Sequence, residues 1–274
     1  MNLIKYTAGL ALARMDRQKF REIFNNFTIP DADFSDSHFD SYRDRLIRYY
    51  IACKAQKQEY KGQSEIEALH KNFWSKVDKY FVSTKSRADD VHIPAYRDIV
   101  SDLSSILTER NIKTVCEFGV GDGKWLNYLS QQWTGIKNFI GIDISEKQIE
   151  RNARLFPHFT FKNSDLMEYV KLNATQNTLY HTCGGVLEYI SENSLKRFFR
   201  LLKDQAKGSM IFLIEPLYGD YDITKEISSK INGFEYSYTH NYVYWLKSEG
   251  IAIIRQEERI IGGGRMHVVV AQIE

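Results

Sequence analysis

Several things are scarce in this chain, and each scarcity removes a class of protein. Cysteine occurs three times in 274 residues, at Cys53, Cys116 and Cys183. The count is odd, and the positions show neither a pairing pattern nor the spacing of a metal set. A disulfide-stapled fold is excluded, and a reducing, cytoplasmic compartment is expected. Charge of one sign is missing too: 37 Lys and Arg stand against 35 Asp and Glu, a net charge of +2. That field gives no reason to expect a nucleic acid or an acidic polymer as partner. Long apolar runs are also absent. The N-terminal patch from Tyr6 to Ala13 is too short to span a bilayer and lacks a cleavage site. It fits an amphipathic helix that packs on the domain, on a second subunit or on a membrane surface. Packing is the commoner case, and a homodimer is left open. No internal repeat or low-complexity segment is visible.

What remains is an ordinary globular composition, 43% hydrophobic and 26% charged, with 17 Tyr and 16 Phe. The length suits one large domain or a domain with an appendage. Residues 1 to about 90 read as a helical extension. Leu3, Ile4, Leu10, Leu12 and Met15 suggest one helix, and Phe20, Ile23, Phe24 and Phe27 extend it or start another. Pro30 and the run Asp31 to His38 read as a loop. Tyr42 to Lys57 is an amphipathic helix with Leu46, Ile47, Tyr50 and Ile51 on one side and Arg43, Arg45, Arg48 and Lys54 on the other. That basic face reads as solvated rather than as a phosphate site. Ser64 and Glu67 resemble a capping box for a helix through Leu69, Phe73, Trp74, Val77 and Phe81. Ser83 to Asp90 reads as a linker.

From about Val91 to Glu274 helices and strands alternate, which predicts an α/β fold with a parallel sheet. A helix covers Tyr96 to Arg110. Strands follow at Val115 to Phe118, Phe139 to Ile144, Phe159 to Lys162, Leu179 to Cys183 and Met210 to Ile214, the last stopping at Glu215 and Pro216. Ser145 caps a helix that ends before Pro157, and another helix runs from Ser194 to Leu202. Ile251 to Arg255 and Met266 to Ile273, joined through Gly262 to Gly264, predict a terminal antiparallel hairpin.

The stretch Thr114 to Leu129 organises this second part. A short strand runs into Gly119, Gly121 and Gly123, and a helix follows. Alternate glycines let a backbone turn tightly and a ligand approach the main chain, and the helix aims free N–H groups at the turn. A tight turn without a ligand is the plainer alternative. A dinucleotide site would place its third glycine at position 124, which is Lys124.

The ordered motifs resemble the class I S-adenosylmethionine-dependent methyltransferases. They are Glu117-Phe-Gly-Val-Gly-Asp-Gly123, Gly141-Ile-Asp-Ile-Ser145, Asn163-Ser-Asp165 and Gly185-Val-Leu-Glu-Tyr189. The resemblance covers about Ala95 to Glu274. It implies a seven-stranded Rossmann-like sheet with a terminal hairpin, and S-adenosyl-L-methionine as cofactor. Carried onto this chain, it places Glu117, Gly119, Val120, Gly121, Asp143, Ile144, Asp165, Leu166 and Cys183 at the cofactor. Glu117 or Asp122 would receive the ammonium, though Asp122 fits better as a bond within the turn. Asp143 would take the ribose hydroxyls and Asp165 the adenine amino group.

Where amino-methylating relatives carry Asn/Asp-Pro-Pro-Tyr/Phe, this chain has Cys183-Gly184-Gly185-Val186, which argues against base methylation. The resemblance points instead to a small-molecule or sugar/glycan hydroxyl as acceptor. The aromatic segment Tyr218 to Trp245 would build its pocket, or would only tie the N-terminal helices to the core. An alcohol needs a base in the transition state. The candidates are His240, His181, Glu188 and Glu215, with His240 first. His240→Ala is expected to keep cofactor binding and lose turnover. Alternatives are N-methylation of an amine or protein side chain, and a catalytically silent binding subunit.

Overall fold

The computed structural model describes residues 2–25, 41–59, 65–75, 88–232 and 237–274. The expected loop at Pro30 to His38, the Ser64 cap, Phe27, Val77, Phe81, Phe234, Tyr236 and most of the Ser83 to Asp90 linker lie outside the described residues.

The part of the chain from about Val91 onward is a seven-stranded sheet with helices on both faces, as the alternation predicts. Its strands are β1 (Thr114–Phe118), β2 (Asn138–Asp143), β3 (Thr160–Asn163), β4 (Thr178–Cys183), β5 (Met210–Leu217), β8 (Ala252–Ile261) and β9 (Gly264–Gln272). The spatial order is β3-β2-β1-β4-β5-β9-β8. The first five strands are parallel, and β9 enters antiparallel between β5 and β8. The chain leaves β1 toward β2 on one side and returns to β4 on the other. That reversal opens a crevice at the carboxyl ends of β1 and β4, where ligands of open α/β sheets bind.

Both faces of the central strands are buried, which is why β5 reads as a continuous apolar run. Val115, Leu179 and Phe212 face one core under helices α5 (Ile93–Glu109) and α6 (Lys124–Gln132). Cys116, Phe118, Tyr180 and Leu213 face the other. There they meet α8 (Leu166–Asn173), α9 (Glu192–Gln205) and α10 (Tyr242–Ser248). Helix α7 (Glu146–Leu155) begins at the predicted cap, with Ser145 Oγ accepting from the Gln148 amide. Helices α8 and α10 are not evident from periodicity, being only 8 and 7 residues long.

Two strands run past their expected ends. Strand β5 does not stop at Glu215 but continues through Pro216 to Leu217, paired with β9. Pairing with β4 ends at Ile214, so beyond it one side of the strand is open and a missing proline N–H is tolerated. Strand β8 runs to Ile261, well past Arg255, as the outer edge of the sheet.

The N-terminal helices are α1 (Leu3–Met15), α2 (Arg17–Asn25), α3 (Tyr42–Glu59) and α4 (Glu65–Trp74). Helices α1 and α3 cross closely at Gly9, where a Cβ would lie 2.1 Å from the Leu46 carbonyl oxygen. Arg48 departs from the expected solvated face of α3 and is buried. Ala13, Ile23, Ile47, Ile51, Ile66 and Leu69 form a third small core with Tyr238. Tyr238 belongs to β7 (Ser237–Thr239), which pairs with β6 (Lys230–Asn232) in a separate ribbon inserted between β5 and α10.

Candidate active site

The glycine turn sits at the carboxyl end of β1, and all three of its glycines have positive φ. Gly119, at φ +63°, shows why no side chain fits: a Cβ there would lie 2.5 Å from Val186 Cγ2. The turn and the segment after β4 therefore touch. Val120 is buried and its amide donates to the Ile142 carbonyl, joining the turn to β2. Asp122 closes the turn on itself by accepting from the Lys124 amide at 3.1 Å, as expected. Asn152 of α7 was not foreseen. It is fully buried and donates to the Gly121 carbonyl at 2.7 Å, while Gln148 donates to its Oδ1. The readable signal was a pair of amides four residues apart on the face that carries Ile149.

Glu117, near the end of β1, is buried, and its Oε2 has no hydrogen-bond partner among the described residues. Burial, with Asp122 and Asp143 nearby, pushes its carboxyl well above the ordinary range. An unpaired buried carboxylate costs several kcal/mol unless it is protonated or meets a cation. Asp143 ends β2 half-buried. Its Oδ2 accepts from the Gly121 amide at 3.1 Å and its Oδ1 from the Ser145 amide at 2.9 Å. Burial raises its pKa, and these amides oppose the rise. Asn163 donates to the carbonyls of Asp143 and Ile144, fixing that corner.

Asp165 is more heavily engaged than the sequence suggests. Its Oδ1 caps α8 by accepting from the Met167 and Glu168 amides, and its Oδ2 pairs with Lys71 Nζ at 3.0 Å. Leu166 is the first residue of α8. Lys71 also pairs with Glu67 at 3.1 Å. Glu67 in turn accepts from the Ser191 amide and the Ser194 hydroxyl. Helix α4 thus spans the crevice from Asp165 to the start of α9, with His70 and Trp74 packed on Tyr189. The periodicity of α4 marked its helix but not this reach.

The segment after β4 is held from below. Glu215 is fully buried and accepts from the amides of Val186 and Leu187 at 3.0 and 3.1 Å. Burial raises its carboxyl to about 7, opposed by the Thr182 hydroxyl and these amides. Cys183 ends β4 as a free thiol that burial holds protonated.

Neither histidine expected as a base has a spare nitrogen in this arrangement. His240 is fully buried, and its Nε2–H donates to the Leu187 and Ile190 carbonyls at 3.1 Å each. Nδ1 then accepts from the Ser229 hydroxyl at 2.6 Å. Burial lowers its pKa to about 4. His181 is likewise buried between Trp125 Nε1–H, which donates to its Nε2 at 2.6 Å, and the Phe212 carbonyl, which accepts from Nδ1 at 2.7 Å. Its pKa falls to about 3, chiefly through burial. Both rings are neutral structural ties.

Part of the aromatic segment packs as core. Tyr221, Tyr238 and Tyr242 are buried, and Trp245 packs beside the second core under Lys196. Tyr238 ties the N-terminal helices to the β6–β7 ribbon, while the Tyr242 hydroxyl and the Trp245 indole N–H are buried without hydrogen-bond partners among the described residues.

Among known proteins, residues 115–207 match a family described as "Methyltransferase domain". No curated protein matches the chain in sequence. An S-adenosylmethionine-dependent methyltransferase from Leishmania major superposes with a TM-score of 0.57 at 11% identity, covering 75% of this chain and 82% of that one. Magnesium protoporphyrin IX methyltransferase from Synechocystis, solved with S-adenosylhomocysteine, gives 0.52 at 14% identity over 75% and 98%. Motif order, family match and sheet topology agree: residues 115–207 match a methyltransferase domain, and the protein has the class I, Rossmann-like fold of the S-adenosylmethionine-dependent methyltransferases.

Proposed function

We propose that this chain binds S-adenosyl-L-methionine at the crevice between β1, β2 and β4 and transfers its methyl group to a small-molecule or sugar hydroxyl. The observation that carries the donor assignment is the unpaired, buried Oε2 of Glu117 beside a turn that tolerates no side chain. A ligand ammonium would relieve that carboxylate, and Asp143 at the end of β2 suits a ribose diol. The donor supplies an electrophilic methyl group on a sulfonium. The chain's residues align the acceptor, keep water out and take up its proton.

With both imidazoles engaged, Glu215 is the best placed of the expected bases. It lies at the carboxyl end of the sheet, and its pKa near 7 suits proton transfer at neutral pH. The same engaged histidines favour a second reading, N-methylation of an amine, which needs no base once the amine arrives neutral. Calorimetric titration with S-adenosylhomocysteine tests the donor assignment: micromolar binding is expected, and no binding overturns it. Tritium transfer from labelled cofactor to panels of sugars, phenols and amines then separates the two acceptors. Labelling of amines alone would reject the hydroxyl reading.

A further inference from the structure

His267 stands on β9, outside every motif of the resemblance and outside the expected bases. Its imidazole is fully buried, and neither Nδ1 nor Nε2 has a hydrogen-bond partner among the described residues. It differs in this from His181 and His240, whose nitrogens are all engaged. The carboxyl groups opposite it in register are spent elsewhere. Glu258, across from it on β8, pairs with Arg265 at 2.8 Å. Glu215, across from it on β5, turns its carboxyl to the Val186 and Leu187 amides.

A second spare group faces the same place. Leu213 and Val269 belong to the second core, so Glu215 and His267, each two residues along the strand, lie on that face. Tyr242, the first residue of α10, packs over it. Its ring centre lies 6.2 Å from that of His267 and 5.5 Å from that of His240. The Tyr242 hydroxyl is buried and likewise has no partner among the described residues. Adjacent buried side chains are rarely left with so many unmet polar atoms unless a ligand or a water completes them.

The pair borders the donor crevice. Glu215 lies one residue beyond Ile214, whose partner Cys183 ends β4. The Val186 amide that Glu215 holds belongs to the residue packed against Gly119. Contacts therefore run from the glycine turn through Val186 and Glu215 to His267 and Tyr242, on the side of β4 away from β1. Burial keeps both rings uncharged: it lowers the His267 pKa to about 4 and raises that of Tyr242. A neutral imidazole offers one donor and one acceptor, and a phenol does either. A hydroxyl also donates and accepts, and it brings no charge into a buried place. An ammonium only donates and would leave the imidazole N–H unmet.

We propose that His267 and Tyr242 recognise the hydroxyl of the methyl acceptor and hold it on the β5 side of the donor crevice. The assignment rests on the hydroxyl reading above and deepens it, making these two side chains the determinants of a hydroxyl over an amine.

The test uses the sugar or phenol that the tritium panel labels best, with the wild-type chain, Tyr242→Phe, His267→Gln and His267→Leu. For Tyr242→Phe the KM of that compound should rise roughly tenfold while kcat changes less than about threefold. His267→Leu should lose roughly a hundredfold in kcat/KM, and His267→Gln, which keeps a donor and an acceptor, should recover most of it. The Kd for S-adenosylhomocysteine should stay within about twofold in all three. Stability should run the other way. Tyr242→Phe and His267→Leu remove only unmet polar atoms, so their melting temperatures should stay level or rise. Lower melting temperatures with an unchanged KM would mean that the pair holds a buried water only, and would overturn the proposal. Equal losses for His267→Gln and His267→Leu would overturn it too. A wild-type chain that labels no hydroxyl compound would instead overturn the hydroxyl reading and the pair with it, so the two failures are distinguishable.

Discussion

The glycine turn after β1 and the segment from Tyr218 to Trp245 both hold buried polar groups, and they differ in which of those groups are met. Around the turn, capacity is left over: Glu117 Oε2 and the Tyr96 hydroxyl are buried without partners, and the backbone is held at positive φ. In the later segment capacity is used only in part: Ser237 Oγ, the Tyr242 hydroxyl and the Trp245 indole N–H are also buried without partners among the described residues, whereas the groups around His240 are met. His240 satisfies two carbonyls and a hydroxyl, and Asn241 donates to the carbonyls of Ile223 and Glu226. The Tyr221 hydroxyl donates to the carbonyls of Glu226 and Ser228. Unmet hydrogen bonds destabilise a free protein, and a buried group without a partner is a candidate to meet a ligand. His240, although the more reactive residue type, has no nitrogen left for a substrate and is the weaker candidate for a base.

The largest expected effect lies on the turn. Gly119→Ala places a Cβ against Val186 and forces a non-glycine residue into the left-handed region. A destabilisation of about 3 kcal/mol or more is expected, with loss of S-adenosylhomocysteine binding. Urea unfolding and calorimetry check both. Unchanged binding would mean that the turn is only a turn.

Next is the pH dependence held by Glu215. Its folded value of about 7 lies above the ordinary 4.5, so below pH 4.5 the group is protonated in both states and its contribution to stability is complete. Between pH 4.5 and about 7 the unfolded chain releases a proton that the folded chain keeps, so stability falls and then levels off. The difference amounts to about 3 kcal/mol at about 1.4 kcal/mol per pH unit. Subtracting the stability profile of Glu215→Gln from that of the wild type isolates this slope; parallel profiles would remove Glu215 as a group titrating near neutrality.

The smallest effect sharpens the other side of the comparison. His240→Ala strands the Leu187 and Ile190 carbonyls and the Ser229 hydroxyl, so a loss of about 2 kcal/mol is expected. S-adenosylhomocysteine affinity should change less than threefold. If stability holds and turnover alone disappears, the imidazole is the base after all, and the contrast between spare and spent groups fails.

Much of the fold was legible because it rests on local signals. Apolar periodicity, the Ser145 cap, the glycine turn and the closing glycines each act over a few residues, and each matched an element. The candidate cofactor residues were legible as positions for the same reason: Glu117, Gly119, Gly121 and Asp143 lie at strand ends that the pattern itself marks. Asp165 was legible as a strand-end acid, but its pairing with Lys71, 94 residues away, was not. Short helices such as α10 were missed because 7 residues make barely two turns, too few for a periodic pattern to stand out.

The sequence by itself determined the order of strands and helices, the glycine turn and the acids beside it, because propensity, capping and patterning are properties of neighbours along the chain. Only the tertiary structure decided which polar groups were spare. Whether Tyr96, His181 or His240 finds a partner depends on what α5, β5 and the segment after β4 bring to it. His240 meets carbonyls 53 and 50 residues away, and Trp125 donates to His181 across 56 residues. Hydrogen-bond satisfaction is a count of neighbours in space, and that count exists only once the sheet has brought them together.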